Sequence, residues 1–395
     1  MKKRIIAVVF SAFVLLSALL LTSAANANGG EKDAYTDTEK VSGLNQSDFA
    51  DKINSAMPYD RNYMFSPASI KYALALAANG ADGETKTEIL NAVGITDIEA
   101  FNRYAKETEK HLSQDKNSKV RIANSIWING ERTNQRFTRR YAEKVFEFFG
   151  AVPARVNNKN ALRKINGWVK NKTDGKIKEI ISSPNFDAIL LNAVYFKGEW
   201  ADKFSESDTI LDTFTDRNRK KTDIDFMNKI DRLDYLNAGG VECVSLPYRG
   251  GNMSMYLIKT DKRIDVEKFI SANRNGFVNT EMKLSVPKFK IEYSADVKKL
   301  LEGLGIKRAF TDNAQFENMF DYGGMKIDSV LHKTYIDVNE KGTEAAAITA
   351  VVMNCTSVAP SEKLTELKLD SPFAFAVRDN VSGEILFMGE YAFAE

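Results

Sequence analysis

The amino-acid sequence predicts an α+β protein, a single large domain in which helices surround an extensive, mostly antiparallel sheet. Three observations support this fold class. Helical patterns dominate up to about residue 188, and strand patterns dominate after it. The two kinds of element do not alternate as they do in β–α–β folds, which have parallel sheets. The 395 residues also contain no internal repeat and no low-complexity linker that would mark a domain boundary.

The N-terminal segment has the pattern of a secretory signal peptide. A basic start at residues 2–4 is followed by an apolar run to Thr22 and by a small-x-small cleavage site ending at Ala27. An uncleaved membrane anchor is the alternative, because the apolar run is just long enough to span a bilayer. We expect residues 28–44 to form a mobile arm and residues 45–395 to form the folded domain. The expected location is outside the cytoplasm, either secreted or periplasmic.

The helices are predicted from the residues at their ends. A helical pattern begins at residue 47. The Ser-Pro pair at 66–67 opens the next helix, because a hydroxyl caps the first turn and proline fits there, and Gly80 ends it. A capping box at residues 85–88 predicts the start of a short helix that Gly94 ends. Further helices are predicted at residues 101–112, 138–149, 159–172 and 294–301.

Strands are predicted from β-branched and aromatic residues in short runs, at 120–128, 189–196, 222–227, 241–246, 253–258 and 282–291. A longer strand is predicted at 325–339. Alternate positions place five of its residues on one face: Val330, His332, Thr334, Ile336 and Val338. His332 therefore lies among apolar neighbours, which favours a buried histidine satisfied by local hydrogen bonds over a catalytic one.

The composition excludes several classes of protein. The chain has 55 basic and 53 acidic residues, so its net charge of +2 gives no reason to expect a nucleic-acid partner. Its only histidines and cysteines (His111, His332, Cys243 and Cys355) are too scattered for a structural zinc site and too few for a disulfide framework. The sequence has neither a Gly-x-Ser-x-Gly elbow nor a glycine-rich phosphate loop. We therefore expect no enzyme, no metal and no cofactor.

Residues 345–356 form an unusual stretch after the long strand. These twelve residues contain no charge, no proline and no glycine, so the segment favours a strand and would be prone to aggregate if exposed. Small or slender side chains would share one face: Thr343, Ala345, Ala347, Thr349 and Val351. Such a strand could enter an existing sheet without displacing a packed core. An ordinary buried strand and a helix through the alanine run are the alternatives.

Several motifs in family order resemble those of serpins and extend from about residue 45 to 393. The hinge sequence is EKGTEAAA at 340–347, and the sheet motif is NAVYFKGEW at 192–200 followed by Phe204. The remaining matches are FSPASI at 65–70, INGWV at 165–169, TDGKI at 173–177, SPF at 371–373 and FMG at 387–389. Together these motifs make the chain resemble a secreted, inhibitory serpin of the prokaryotic type.

This resemblance implies a fold with three β-sheets, a surrounding set of helices and an exposed reactive-centre loop at about residues 340–365. It also implies suicide inhibition. A target protease cleaves the loop and forms an acyl-enzyme, and the freed loop then enters the main sheet as a new strand. The expected partner is a serine protease or a cysteine protease, held in a covalent complex by a monomeric inhibitor. A serpin that no longer inhibits, with a carrier, chaperone or storage role, is the alternative.

The resemblance also assigns roles to loop residues. Gly342 is the expected pivot and Thr343 the first residue to enter the sheet, within a hinge made of Glu340, Gly342, Thr343, Glu344, Ala345, Ala346 and Ala347. The family's usual hinge length places the cleaved bond between Thr356 and Ser357. Since the segment after that bond is longer than is common in the family, Met353, Asn354 and Cys355 are alternative cleavage-site residues. A small threonine before the bond favours a target of elastase or subtilisin type.

Two further groups of residues are implied by the resemblance. The first is a hydrogen-bonded cluster under the sheet centre, made of Ser66, Ser69, Asn192 and His332. The second is the upper end of the sheet, called the breach, where insertion begins; it contains Trp200 and an expected ion pair between Lys288 and Glu340. Both groups are expected to support a conformational change, with no covalent chemistry of their own.

Overall fold

The computed structural model describes residues 46–322, 324–343 and 364–394. Eight helices lie in these residues: α1 (Gln46–Ser55), α2 (Pro67–Gly80), α3 (Gly83–Val93), α4 (Ile98–Gln114), α5 (Arg139–Phe149), α6 (Ala161–Lys172), α7 (Val266–Ala272) and α8 (Lys298–Gly303). Six of the eight precede residue 173, as the sequence predicts. The mixture of a helical first half and a strand-rich second half confirms the α+β class.

Fifteen strands complete the described fold. Those before residue 240 are β1 (Tyr63–Phe65), β2 (Ser118–Asn129), β3 (Ala154–Val156), β4 (Ala188–Glu199), β5 (Ile210–Thr215) and β6 (Lys221–Ala238). Those after it are β7 (Val241–Pro247), β8 (Met253–Lys259), β9 (Val278–Pro287), β10 (Phe289–Asp296), β11 (Ser329–Asn339), β12 (Gly342–Thr343), β13 (Thr365–Lys368), β14 (Phe373–Asp379) and β15 (Ile385–Tyr391). Short helical turns at Glu206–Asp208 and Arg308–Phe310 are added to these.

The ends of α2 and α3 test the helix signals. The hydroxyl of Ser66 accepts a hydrogen bond from the Ser69 N–H, and α2 runs to Gly80 as predicted. Gly94 ends α3 in the left-handed conformation at φ +69°, also as predicted. The predicted start of α3 at the capping box of residues 85–88 is wrong, because Asp82 caps the helix three residues earlier.

The capping box fails because its side chains have other partners. The hydroxyl of Thr85 accepts a hydrogen bond from the backbone N–H of Gln315 at 3.0 Å. The carboxylate of Glu88 accepts hydrogen bonds from the backbone N–H groups of Lys307 and Arg308. Long-range contacts thus use the groups that a local motif would have used.

Four predicted elements have clearly different boundaries, and the largest difference is that the strand predicted at 222–227 continues to Ala238 as β6. The strand at 282–291 is two strands, because Pro287 has no N–H to donate and β9 ends there. The helix at 294–301 is wrong in its first residues, since β10 continues to Asp296 and α8 begins only at Lys298. The strand at 325–339 begins at Ser329, and the four residues before it are not part of a strand.

The strands form two hydrogen-bonded networks. The first is a six-stranded sheet in the order β10-β11-β12-β4-β2-β3. The second has nine strands, in the order β1-β15-β14-β8-β7-β6-β9-β13 with β5 paired to β6. The eighteen-residue β6 pairs with β5 and β9 in its first part and with β7 in its last. The nine-stranded network therefore corresponds to two of the three expected sheets, which are joined because β6 has strand partners in both.

The hydrophobic core lies on both faces of the six-stranded sheet. One face of β11 is buried as predicted, with Val330, His332, Thr334, Ile336 and Val338 each at most 1% exposed. On the other face, α6 packs an apolar cluster against the sheet, and this cluster includes Ile165 and Val169 of the helix and Leu191 and Tyr335 of the strands. Among the residues that the structure describes, no helix is long and apolar enough to cross a membrane.

Candidate functional site

The centre of the six-stranded sheet is a seam between two parallel strands. β4 and β11 pair in parallel over seven residues, from Ile189 with Ser329 to Tyr195 with Tyr335. On its outer side each strand has an antiparallel partner, β2 for β4 and β10 for β11. A strand antiparallel to both β4 and β11 would convert this seam into continuous antiparallel pairing, which is slightly more stable per residue.

The start of such a strand is already in place. After β11 the chain turns at residues 340–341, and β12 then enters between the upper ends of the two strands. Thr343 pairs antiparallel with Val338 of β11 and with Gly198 of β4. The first residues of the predicted hinge therefore lie within the sheet.

Glycine is required on both sides of this entry point. Gly342 has φ +149°, and a Cβ atom there would lie 2.1 Å from the carbonyl oxygen of Gly198. A Cβ atom on Gly198 would in turn lie 2.9 Å from the rings of Phe196 and Tyr248. Glycine at 342 therefore lets the backbone of β12 approach that of β4 closely, whereas glycine at 198 leaves room for the two rings.

Thr343 is held by an aromatic pair under the entry point. Its side chain is fully buried, and its hydroxyl lies 2.7 Å from the hydroxyl of Tyr248. The Tyr248 ring stacks on Trp200 at a centroid distance of 4.6 Å. Trp200 also fixes the hinge directly, because its indole N–H donates to the Asn339 carbonyl at 2.9 Å and its backbone N–H donates to the Lys341 carbonyl at 3.0 Å.

The predicted ion pair is present at the same end of the seam. The ammonium of Lys288 lies 3.2 Å from Oε1 of Glu340, and the Thr209 hydroxyl donates to the same oxygen at 2.8 Å. Burial by itself raises the pKa of Glu340. Hydrogen bonds from its own backbone N–H, from Thr209 and from Lys288 outweigh burial, so that the pKa lies below its usual value. Glu340 is therefore ionised and anchors the turn between β11 and β12.

Under the middle of the seam, the four predicted residues form one buried cluster. His332, Asn192, Ser66 and Ser69 are all fully buried. The Ser66 N–H donates to Nε2 of His332 at 3.2 Å, so Nε2 is unprotonated and Nδ1–H donates to the side-chain oxygen of Asn192. Complete burial lowers the pKa of His332 to about 3, and the ring is neutral at physiological pH. A neutral ring with both nitrogens bonded has a structural role.

Asn192 connects this cluster to three elements. Its amide nitrogen donates to the Ser69 carbonyl at 2.7 Å and to the Asn124 side-chain oxygen at 2.5 Å, and it also contacts the Ser69 hydroxyl. These bonds link β4 to α2 and to β2, while the bond to His332 crosses the seam to β11. Closing the seam and positioning α2 thus depend on the same side chain.

Three contributors to the site were not predicted. Asn124 interrupts a buried stretch of β2, which is a signal that a buried polar residue has a partner. Tyr248 and Thr209 give no such signal, because only the fold brings them to Thr343 and Glu340.

The predicted residues Glu344, Ala345, Ala346, Ala347, Met353, Asn354, Cys355, Thr356 and Ser357 lie outside the described residues, as do the predicted signal peptide and the arm.

A family profile described as Serpin (serine protease inhibitor) matches residues 44–392. The chain belongs to the serpin family. Iripin-3 of Ixodes ricinus is 32% identical to this serpin over 351 residues, which are 83% of this chain and 88% of Iripin-3. Members of the family are mostly protease inhibitors that act on proteases without being catalysts themselves.

Solved serpin structures have the same fold. The native state of the thermophilic serpin tengpin aligns with a TM-score of 0.81 at 31% identity and covers 94% of this chain and 96% of its own. Thyroxine-binding globulin in complex with thyroxine aligns with a TM-score of 0.78 at 23% identity and covers 88% and 98%. The similarity to thyroxine-binding globulin concerns the fold alone. The similarity to tengpin supports the expected three-sheet serpin architecture for this chain.

Proposed function

We propose that this serpin is a suicide inhibitor of a serine protease and that its cleaved loop fills the seam between β4 and β11. The observation that carries the proposal is the position of β12. Thr343 already pairs with Val338 and Gly198 in an orientation antiparallel to both strands. A loop released by cleavage need only continue a ladder that the intact molecule has begun.

The existing register specifies what the inserted strand would contact. The pairs between β11 and β4 keep the same offset in the seam and at β12, for example His332 with Asn192 and Val338 with Gly198 opposite Thr343. Continuing the ladder to the ends of both strands would accommodate residues 344–352. Thr349 would then lie between His332 and Asn192, and the hydrogen bond that now crosses the seam would be lost.

The free energy of insertion is large enough to drive the change. The nine residues 344–352 would gain about eighteen backbone hydrogen bonds, while the parallel pairing of the seam is broken. At about 1 kcal/mol net for each bond gained, the exchange favours insertion by on the order of 10 kcal/mol before side-chain packing. The intact form is then maintained by a kinetic barrier.

The target and the place of action are also part of the proposal. A cleaved bond at Thr356–Ser357 favours proteases with a shallow specificity pocket, of elastase or subtilisin type. The signal-like segment at residues 1–27 supports export. Mass spectrometry of the secreted protein tests the second point, with a mature chain that begins at residue 28 as the expected result.

The inhibitor is tested by incubation with an elastase-like and a subtilisin-like protease, followed by a denaturing gel. We expect a detergent-resistant band larger than the serpin by about the mass of the protease. Clean cleavage without this band would contradict the proposal and leave a carrier, chaperone or storage role. The mass of the released C-terminal fragment identifies the cleaved bond.

A matched pair of variants tests whether insertion is required. Ala345→Arg would place a charge on the buried face of the inserted strand, so this variant should be cleaved without trapping the protease. Glu362→Arg changes the charge of the same segment beyond the expected cleavage site and should inhibit normally. Unchanged inhibition by Ala345→Arg would contradict the insertion mechanism.

A further inference from the structure

The positive charge of this chain is concentrated in one segment. Residues 159–178 contain seven basic residues and one acidic residue, whereas the rest of the chain has 48 basic and 52 acidic residues. This segment includes α6 and the residues on either side of it. The net charge of +2 is therefore the sum of a strongly positive segment and a remainder that is slightly negative.

Four of these cations form one surface on the outward side of α6. Arg163 and Lys170 are seven residues apart and so project on the same side of the helix, and Lys159 and Lys164 flank them. All four side chains are exposed. The opposite side of α6 carries the buried residues that pack on the sheet: Ala161, Ile165 and Val169. We call the four exposed residues the α6 cationic face.

Among the residues that the structure describes, the α6 cationic face has no carboxylate partner. In the ranges 46–322, 324–343 and 364–394, no carboxylate lies within 4.0 Å of its four charged groups, although Lys119 nearby pairs with Asp174 and Lys333 pairs with Glu292. Like charges on one side of a short helix repel one another, and a bound polyanion would relieve this repulsion.

The geometry favours a phosphate chain over other polyanions. Three of the four cations are lysines, which bind phosphate oxygens as point charges without the directional preference of arginine. The neighbouring Trp168 packs edge-to-face on Trp127 at 6.3 Å, so it is not a free surface on which single-stranded bases could stack.

We propose that the α6 cationic face binds a linear phosphate polymer, with the four cations contacting the charged phosphate groups of the polymer. This binding site goes beyond the inhibitory function, but it would act on it. The apolar cluster under α6 includes Leu191 of β4 and Tyr335 of β11, which lie on opposite sides of the seam. A polymer on α6 would hold the helix over the seam, and we expect it to slow the entry of the cleaved loop. This consequence rests on the proposed function, whereas binding does not.

Binding is measured with inorganic polyphosphate as the probe, on the full mature chain, by calorimetry or fluorescence anisotropy. We expect the logarithm of the binding constant to fall with the logarithm of salt concentration with a slope of about −3, for four phosphates contacted by a flexible chain. Charge reversal at Arg163, Lys164 and Lys170 to glutamate should weaken binding by roughly tenfold or more. Orthophosphate at the same phosphate concentration should not bind.

The matched control reverses three exposed charges elsewhere, in the turn between β5 and β6 and at the first residue of β6: Arg219→Glu, Lys220→Glu and Lys221→Glu. It produces the same change in net charge and should leave polyphosphate affinity within about twofold. Equal weakening by both triple variants would overturn the site. Equal affinity for a sulfated polysaccharide or for duplex DNA of the same charge would overturn the assignment to phosphate polymers. If polyphosphate binds but loop insertion is unaffected, only the coupling to the seam fails.

Discussion

Replacing Asn192 with alanine should destabilise the intact molecule more than the cleaved one. In the intact chain, Asn192→Ala leaves the His332 Nδ1–H and the Asn124 side-chain oxygen buried without their partner. At about 1–3 kcal/mol for each unpaired group, the free energy of unfolding should fall by roughly 4 kcal/mol. A domain of this size loses about 2 °C for each kcal/mol, so the Tm should fall by roughly 8 °C.

The cleaved form should be less sensitive to the same change. With the loop inserted, a new strand separates His332 from Asn192, and the bond that crosses the seam no longer exists. Only the bond from Asn192 to Asn124 then remains to be lost, so the Tm of nicked Asn192→Ala should fall by about half as much as the Tm of the intact variant. Differential scanning calorimetry of both forms, before and after limited proteolysis of the loop, measures the two shifts.

A matched control is available away from the seam. Asn62 is also buried, and its side chain accepts from the Ala392 and Phe393 N–H groups and donates to the Phe393 carbonyl. Asn62→Ala should lower the Tm of the intact and nicked forms by similar amounts. If Asn192→Ala behaves like this control, its hydrogen bonds do not hold the seam closed.

Three other predictions concern the breach and a buried acid. Gly342→Ala cannot keep β12 beside Gly198, so the Thr343 amide should exchange with deuterium at least tenfold faster; unchanged protection would show that the close approach is not required. Tyr248→Phe should cost about 1–2 kcal/mol in urea unfolding, and a double-mutant cycle with Thr343→Val that shows no coupling would contradict the hydroxyl pair. Burial raises the pKa of Glu267 from 4.5 to about 7. The native state therefore holds a proton that the unfolded chain releases between these values, and stability should fall by roughly 3 kcal/mol as pH rises through this window. Glu267→Gln should flatten that part of the profile, and a profile that keeps its slope would exclude Glu267 as the cause.

The sequence predicted the elements of the site better than their arrangement. The alternation in β11 and the Ser-Pro start of α2 are local signals: the predicted face of β11 is buried, and α2 begins where it was expected. The parallel pairing of β4 with β11 has no local signal, because it joins strands about 140 residues apart. Composition favoured a strand after Thr343. Only the fold shows that Gly342 and Thr343 already pair with β11 on one side and with β4 on the other.

The unpredicted contacts have a common physical cause. Tyr248 follows β7 of the nine-stranded network and reaches the hinge in the six-stranded sheet only through tertiary packing. Thr85 has the residue type and spacing of a capping box, yet a long-range partner uses its hydroxyl. Local patterns identify groups that need hydrogen bonds, whereas the identity of the partner depends on the whole chain.

Comparing the thermal unfolding of intact and loop-nicked protein most directly tests whether the seam accepts the loop. Insertion of residues 344–352 would convert parallel pairing into a continuous antiparallel sheet, so the nicked form should unfold at a Tm higher by 20 °C or more, on the order of 10 kcal/mol at about 2 °C for each. Deuterium exchange of the β4 and β11 amides should slow in parallel. A nicked form that melts at or below the Tm of the intact chain would show that the loop does not enter the sheet.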